Sequence, residues 1–136
     1  FAGEPIQVFN NGFMRRDFTY IDDIIDGVVR TLFHPAAPDA SWDAADPAPS
    51  SSSAPYLIYN IGNSNSVELE DFISTLETAI GRPAVREYLP MQPGDVVNTY
   101  ADISRLHDAL GFSPRTPVEV GVPRFIAWFT EYYGLS

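Results

Sequence analysis

Three short clusters in this sequence combine residue types that could do chemistry: Arg15-Arg16-Asp17, Gly62-Asn63-Ser64-Asn65 and Gln92-Pro93-Gly94-Asp95. A guanidinium fork after a turn can grip a phosphate bidentately. The same cluster can equally be an exposed Arg–Asp pair of little energetic consequence. Gly62 to Asn65 stands between a strand-like run and a helix-like run, where backbone N–H groups can receive an anion. It has neither dinucleotide-fingerprint spacing nor a phosphate-binding lysine, so it reads as a plain strand-to-helix turn. The Gln-Pro-Gly-Asp corner presents an amide and a carboxylate on a rigid bend. That pair can read sugar hydroxyls, or the Asp can simply face solvent.

Other chemistry is harder to find. Asp22, Asp23 and Asp26 are candidates for an oxygen-ligated cation, which needs more ligands than three. They also occupy the opening turns of a predicted helix, where carboxylates complement the dipole. His34 and His107 are isolated, and no Ser–His–Asp arrangement is evident. No metal site is expected. The chain has no cysteine, which excludes disulfides, thiolate metal sites and thiol nucleophiles. Its eight basic residues are all arginine, so no lysine can serve as Schiff base, general base or phosphate ligand.

The elements that must position these clusters are short. Ile6, Val8 and Phe9 form an extended run closed by Asn10-Asn11-Gly12, a turn whose residues tolerate positive φ. Residues 18–21 are rich in β-formers and predict a second strand. Ile24, Ile25, Val28, Val29, Leu32 and Phe33 recur at helical spacing over 22–33, and Pro35 ends that helix. Residues 35–55, with five prolines and the run Ser50 to Ser53, read as a mobile loop anchored by Trp42. Residues 56–61 are apolar nearly throughout, which predicts a strand buried on both faces. A helix over 67–80 follows, with Asn65 and Glu68 in capping-box spacing and Gly81 as the stop. Strands are predicted over 85–89 and 96–101. A short helix over 103–110 is capped by Asp102. The last helix opens on Thr116-Pro117-Val118-Glu119 and carries Val118, Val122, Phe125, Ile126, Phe129 and Tyr133 as its stripe.

The fold class is therefore mixed α/β, with about four helices and four to five short strands in one region of 136 residues. A two-sided apolar strand needs more sheet than this chain supplies. The first residues also run into a strand without a polar lead-in. Both features predict that this is part of a larger protein. The net charge of -10 excludes nucleic acid and anionic membranes as partners. No apolar stretch approaches the roughly 20 residues of a membrane span, and the composition is that of a soluble, cytoplasmic protein.

The string Gly12…Arg16-Asp17-Phe18-Thr19-Tyr20-Ile21-Asp22-Asp23-Ile24 resembles the nucleotide-sugar epimerases and dehydratases of the extended short-chain dehydrogenase family. Tyr59-Asn60-Ile61-Gly62-Asn63 and Gln92-Pro93-Gly94-Asp95-Val96 follow in that family's order. With the lead-in Ser52 to Tyr56, the likeness is strongest to the UDP-glucuronate 4-epimerase branch. It covers nearly the whole chain and corresponds to the C-terminal, substrate-binding portion. The resemblance implies a parent enzyme that uses NAD bound on an N-terminal Rossmann domain. This chain has neither the Gly-rich cofactor turn nor the Tyr-x-x-x-Lys pair, so it implies no catalytic residue and no cofactor here. It implies a UDP-sugar as partner, with Val8 and Phe9 flanking the uracil, Arg16 on the diphosphate and Asp95 on the ribose. Gln92 stands where related enzymes often have a second phosphate-binding arginine, and Arg15 stays a surface residue. The resemblance also implies that the helix at 22–33 and the run at 56–61 pack against the missing domain. Self-association of the isolated chain, or its rearrangement, to cover that surface is the corresponding expectation. The alternatives are a non-catalytic nucleotide-sugar-binding or assembly module, and a fragment of a sibling dehydratase or epimerase.

Overall fold

The computed structural model describes residues 1–135. In chain order, β1 (Ile6–Val8) leads through a 3-10 turn (Phe9–Gly12) to β2 (Arg15–Asp17) and α1 (Ile21–Leu32). After the long loop come β3 (Ser66–Glu68), α2 (Leu69–Ile80), β4 (Arg86–Tyr88), α3 (Ser104–Leu110) and α4 (Val118–Tyr133). The strands form two separate pairs. β1 runs parallel to β4, with Val8 opposite Tyr88. β2 runs antiparallel to β3, with Arg16 opposite Val67. The mixed α/β class with four helices and few strands is as expected from the sequence.

The core lies between α2 and α4. Val118, Val122 and Ile126 are buried against Phe72, Leu76, Ala79 and Ile80, with Phe18 and Val67 closing one end. The Phe18 and Phe72 rings stack with centroids 3.9 Å apart. Gly121 lets α4 approach the ring of Tyr20, where an added Cβ would lie 2.9 Å from a ring carbon. The turn after β1 needs left-handed backbone at Asn10 and Asn11, with φ of 51° and 50°. Asparagine accepts that conformation most readily after glycine.

Several local expectations fail, each because pairing overrides propensity. The second strand is Arg15–Asp17, not 18–21, since β3 and residues 97–99 supply its partners. Ile21 instead opens α1. Residues 56–61 form no strand and meet only an isolated bridge between Ser51 and Leu57, leaving Tyr56 and Ile58 about half exposed. A strand cannot persist without neighbours to bond. Ser66–Glu68 pairs with β2, so α2 starts at Leu69 and Asn65 caps nothing; the Leu69 N–H donates to the Met14 carbonyl at 2.8 Å. Only Asn98 of the 96–101 run bridges, to Arg15. Pro117, not Thr116, is the residue before α4, and the Thr116 N–H donates to the Asp23 carboxylate at 2.8 Å. α3 begins at Ser104, not 103, and Ile103, not Asp102, is the residue before it, although the Ser104 N–H donates to the Asp102 carboxylate at 3.0 Å.

The apolar side of α1 is the main departure from ordinary burial. Ile21, Ile25, Val28 and Val29 are about half exposed, and Leu32 and Phe33 are each 74% exposed. Large apolar side chains left in water forgo about 1.5–3 kcal/mol apiece. The loop at 35–55 is stitched more than its composition implies. The Asp39 carboxylate accepts from the Ser41 and Ser51 hydroxyls, Trp42 Nε1 donates to the Ala48 carbonyl and Arg105 holds the Ser50 carbonyl. Among the described residues, no helix is long and apolar enough to cross a membrane.

Candidate functional site

β2 is polar along its length, and its two sides lead to different partners. Arg15 turns to β3, where it pairs with Glu68 and donates to the Ser66 carbonyl at 2.7 Å. It is a surface residue, as expected. Arg16 turns to the connection that follows β4. Its Nη1 donates to two backbone carbonyls, Arg15 at 2.9 Å and Val97 at 3.2 Å. Its Nη2 donates to Asp95 Oδ1 at 2.9 Å. The cation is thus held by one edge and one carboxylate, and its Nε–H and a second Nη2 hydrogen remain for a further acceptor.

Asp95 sits at the end of the Gln-Pro-Gly-Asp corner. Gly94 takes a φ of 84°, and the Asp95 N–H donates to the Gln92 carbonyl at 3.3 Å. Asp95 Oδ1 also accepts the Val96 N–H at 2.8 Å. The corner is a Pro-Gly β-turn closed by its own backbone bond, and it points a partly satisfied carboxylate at Arg16. The Gln92 side chain lies in an exposed position on the same turn.

Of the five expected ligand residues, the structure brings Arg16 and Asp95 into contact, although they are 79 positions apart. Val8 and Phe9 lie one turn earlier on the same route: Leu89, which leads to the corner, donates to the Val8 carbonyl at 2.9 Å and accepts from the Asn11 N–H at 3.0 Å. The Val8 side chain is only 1% exposed, so it belongs to the core and its carbonyl is already engaged. Phe9 is half-buried in the turn. What this pair can offer a ligand is backbone and a ring edge.

The residue that sequence reasoning missed is Asp17. Its carboxylate accepts the N–H groups of Asn63, Ser64 and Ala101, each at 3.0 Å. Its own N–H donates to Thr99 Oγ1 at 3.0 Å. The Gly62 to Asn65 turn does receive an anion, and the chain supplies it. A signal was present in the acid that ends the polar strand, directly before the run of β-formers at 18–21, with an N–H-rich turn elsewhere needing an acceptor.

The remaining candidates are absorbed locally. Asp23 accepts from Arg115 and Thr116 N–H groups, and Asp26 pairs with Arg30 one helical turn away. His34 sets its Nδ1 on the Arg30 carbonyl, and His107 lies beside Asp108. Among the described residues, no three His, Cys, Asp or Glu side chains are placed to share a metal. Two carboxyls are held below their ordinary range, both in loops. Asp39 is lowered by the Ser41 hydroxyl and then by Ser51, and Asp102 by the hydroxyl and N–H of Ser104.

Residues 2–62 match the family described as the NAD dependent epimerase/dehydratase family. The chain is 45% identical over 130 residues to protein CapI of Staphylococcus aureus, covering 96% of this chain and 39% of that protein. It is 42% identical over 137 residues to a probable UDP-glucuronate 4-epimerase of Rhizobium meliloti, again 96% and 39%. The UDP-glucuronic acid 4-epimerase of Bacillus cereus, solved with UDP-glucuronic acid and NAD, superposes with a TM-score of 0.72 at 28% identity over 96% of this chain and 37% of that one. A UDP-glucose 4-epimerase from Bifidobacterium longum, at 22% identity and a TM-score of 0.73, shares the fold. NAD is present in both of those solved structures. This chain has no Gly-rich fingerprint and no lysine, and among the described residues the parallel pair β1–β4 has three-residue strands. By sequence and by fold, then, the chain is similar to proteins of the NAD dependent epimerase/dehydratase family, and it spans somewhat over a third of the length of the relatives it matches.

Proposed function

We propose that this chain is the UDP-sugar-binding part of an NAD-dependent nucleotide-sugar epimerase, and that the whole protein interconverts UDP-glucuronate and UDP-galacturonate in the cytoplasm. The observation that carries this reading is the anchored Arg16 guanidinium beside Asp95. Two carbonyls fix the plane of the fork, which lowers the ordering cost of binding. A diphosphate can then take the free Nε edge as a charge-assisted bidentate pair, while a ribose hydroxyl donates to Asp95. Val8 and Phe9 would flank the uracil from the preceding turn. Gln92 leaves the diphosphate with a single cation from this chain. The redox chemistry belongs to residues and a cofactor outside this segment, so the segment binds and orients and does not turn over alone. Likeness to a UDP-glucuronate-bound relative and to probable UDP-glucuronate 4-epimerases supports the choice of sugar.

Titration calorimetry of the 136-residue chain with UDP and with uridine tests this reading. UDP is expected to bind about 100-fold more tightly than uridine, as two hydrogen bonds from the fork to a charged acceptor would give. Equal affinities, or no detectable heat from UDP at millimolar concentration, would remove Arg16 from the diphosphate and the reading with it.

The partner for the bare side of α1 follows from the same reading. In the isolated chain that face is covered by a second copy, since Ile21, Ile25, Val28, Val29, Leu32 and Phe33 repeat at helical spacing and can pair with themselves. Sedimentation velocity should show a dimer that the double substitution Leu32→Glu, Phe33→Ser converts to monomer. A wild-type monomer at high protein concentration refutes it.

A further inference from the structure

We propose that Asp17 is a positioning residue for the Arg16–Asp95 corner: by gathering the backbone N–H groups of Asn63, Ser64 and Ala101, its carboxylate sets where the guanidinium meets the segment that carries Asp95. This rests on the reading of that corner as the diphosphate site.

Consecutive residues of a strand point to opposite faces. Arg16 therefore reaches Asp95 and Val97, while Asp17 reaches the 62–64 turn and Ala101 on the other side. The segment from 97 to 101 crosses under both. The main chain of Arg15 binds it twice, from its N–H to the Val97 carbonyl at 2.8 Å and from the Thr99 N–H to its carbonyl at 3.3 Å. Asp17 binds it twice more, from its N–H to Thr99 Oγ1 and from the Ala101 N–H to Oδ2, both at 3.0 Å. With the Arg16 bond to the Val97 carbonyl, two of the five ties between β2 and this segment belong to Asp17. The same segment supplies the Val97 carbonyl that orients Nη1 and leads directly back to Asp95.

A three-residue strand paired on one side with another three-residue strand is a weak frame. The carboxylate compensates by spanning two loops with three charge-assisted bonds. Its other two partners, Asn63 and Ser64, connect the corner to the start of β3, which pairs back onto β2. The circuit is closed: the Asp17 carboxylate touches both the 62–64 turn and the 97–101 segment, which the Ser64 hydroxyl also joins by donating to the Ala101 carbonyl at 2.8 Å. Loosening it shifts the separation between the fork and Asp95, which a ligand touching both would sense and a ligand touching one would not.

Asp17→Asn and Thr99→Val are the variants that test this. The amide must turn its NH2 group toward at least one backbone N–H, and the valine removes the acceptor of the Asp17 N–H. UDP and uridine are titrated against each, and the side-chain Nε–H signal of Arg16 is followed by 15N NMR, assigned by its loss in Arg16→Lys. The expected result is a UDP affinity about tenfold lower for Asp17→Asn and roughly threefold lower for Thr99→Val, with uridine changed less than about twofold. The Arg16 Nε–H signal should shift or broaden in both. An unaltered UDP-to-uridine ratio together with an unaltered Arg16 signal, whatever happens to the melting temperature, overturns the proposal and leaves Asp17 a purely structural tie. If Asp17→Asn does not fold, Thr99→Val decides on the same two readouts. If the wild-type chain does not prefer UDP, the diphosphate reading fails, and the positioning claim stands or falls on the Arg16 signal alone.

Discussion

Gly62→Ala should be among the most damaging single-methyl additions to this chain. Its backbone is not in the left-handed region, so the requirement is for space and not for conformation. A Cβ at position 62 would overlap the Cβ of Ala101 and stand 3.2 Å from Asp17 Oδ2. Neither neighbour can yield cheaply. Ala101 has no flexible end to move, and its N–H is bonded to the same carboxylate oxygen that the new methyl would crowd. Relief would separate the 62–64 turn from the 99–101 segment and break the Asp17 circuit. Overpacking of this kind costs about 1–3 kcal/mol, and the lost charge-assisted bonds raise it to about 3 kcal/mol or more. For a chain of this size that is a midpoint lower by roughly 10 °C in a thermal melt followed by circular dichroism. The compensating pair Gly62→Ala, Ala101→Gly restores the space and should recover most of the loss. A Gly62→Ala protein melting within about 2 °C of wild type would show that the turn and the segment are not locked together.

The same locus explains how much was legible in the sequence. The helices at 21–32, 69–80 and 118–133 were visible to within about two residues, because a 3.6-residue repeat of large apolar side chains is written in the letters themselves. β2 was not, because Arg15-Arg16-Asp17 carries no β-formers and becomes a strand only through main-chain partners. The reverse error occurred at 56–61. There the letters describe a strand, but the chain offers no second strand beside it, and Tyr56 and Ile58 stay half exposed. Arg16 and Asp95 came from resemblance, since spacing cannot announce a contact across 79 positions. Asp17 escaped both routes. Its partners are backbone N–H groups, which every residue but proline carries, so no residue type marks them. The Gly-Asn-Ser turn reads from its letters as a plain strand-to-helix turn, yet its N–H groups receive the Asp17 carboxylate.

Arg16→Ala carries the largest expected effect on binding. Truncation removes the fork and leaves the Val97 carbonyl without its side-chain donor and Asp95 without its ion-pair partner. If the free edge of this guanidinium is what holds a diphosphate, UDP affinity should fall by about 100-fold, the combined worth of two hydrogen bonds to a charged acceptor. Uridine affinity should change little, because it presents no phosphate. Arg16→Lys separates charge from geometry. A lysine keeps the cation but offers no planar fork, and it cannot bond two carbonyls while aiming a second edge outward. It should recover only a small part of the loss, within about tenfold of Arg16→Ala. The wild-type preference for UDP should also weaken as salt rises, since a partly exposed pair of charges is screened. An Arg16→Lys protein binding UDP as tightly as wild type would mean that net charge alone attracts the ligand. The two carbonyl bonds that fix the guanidinium plane would then have no part in recognition.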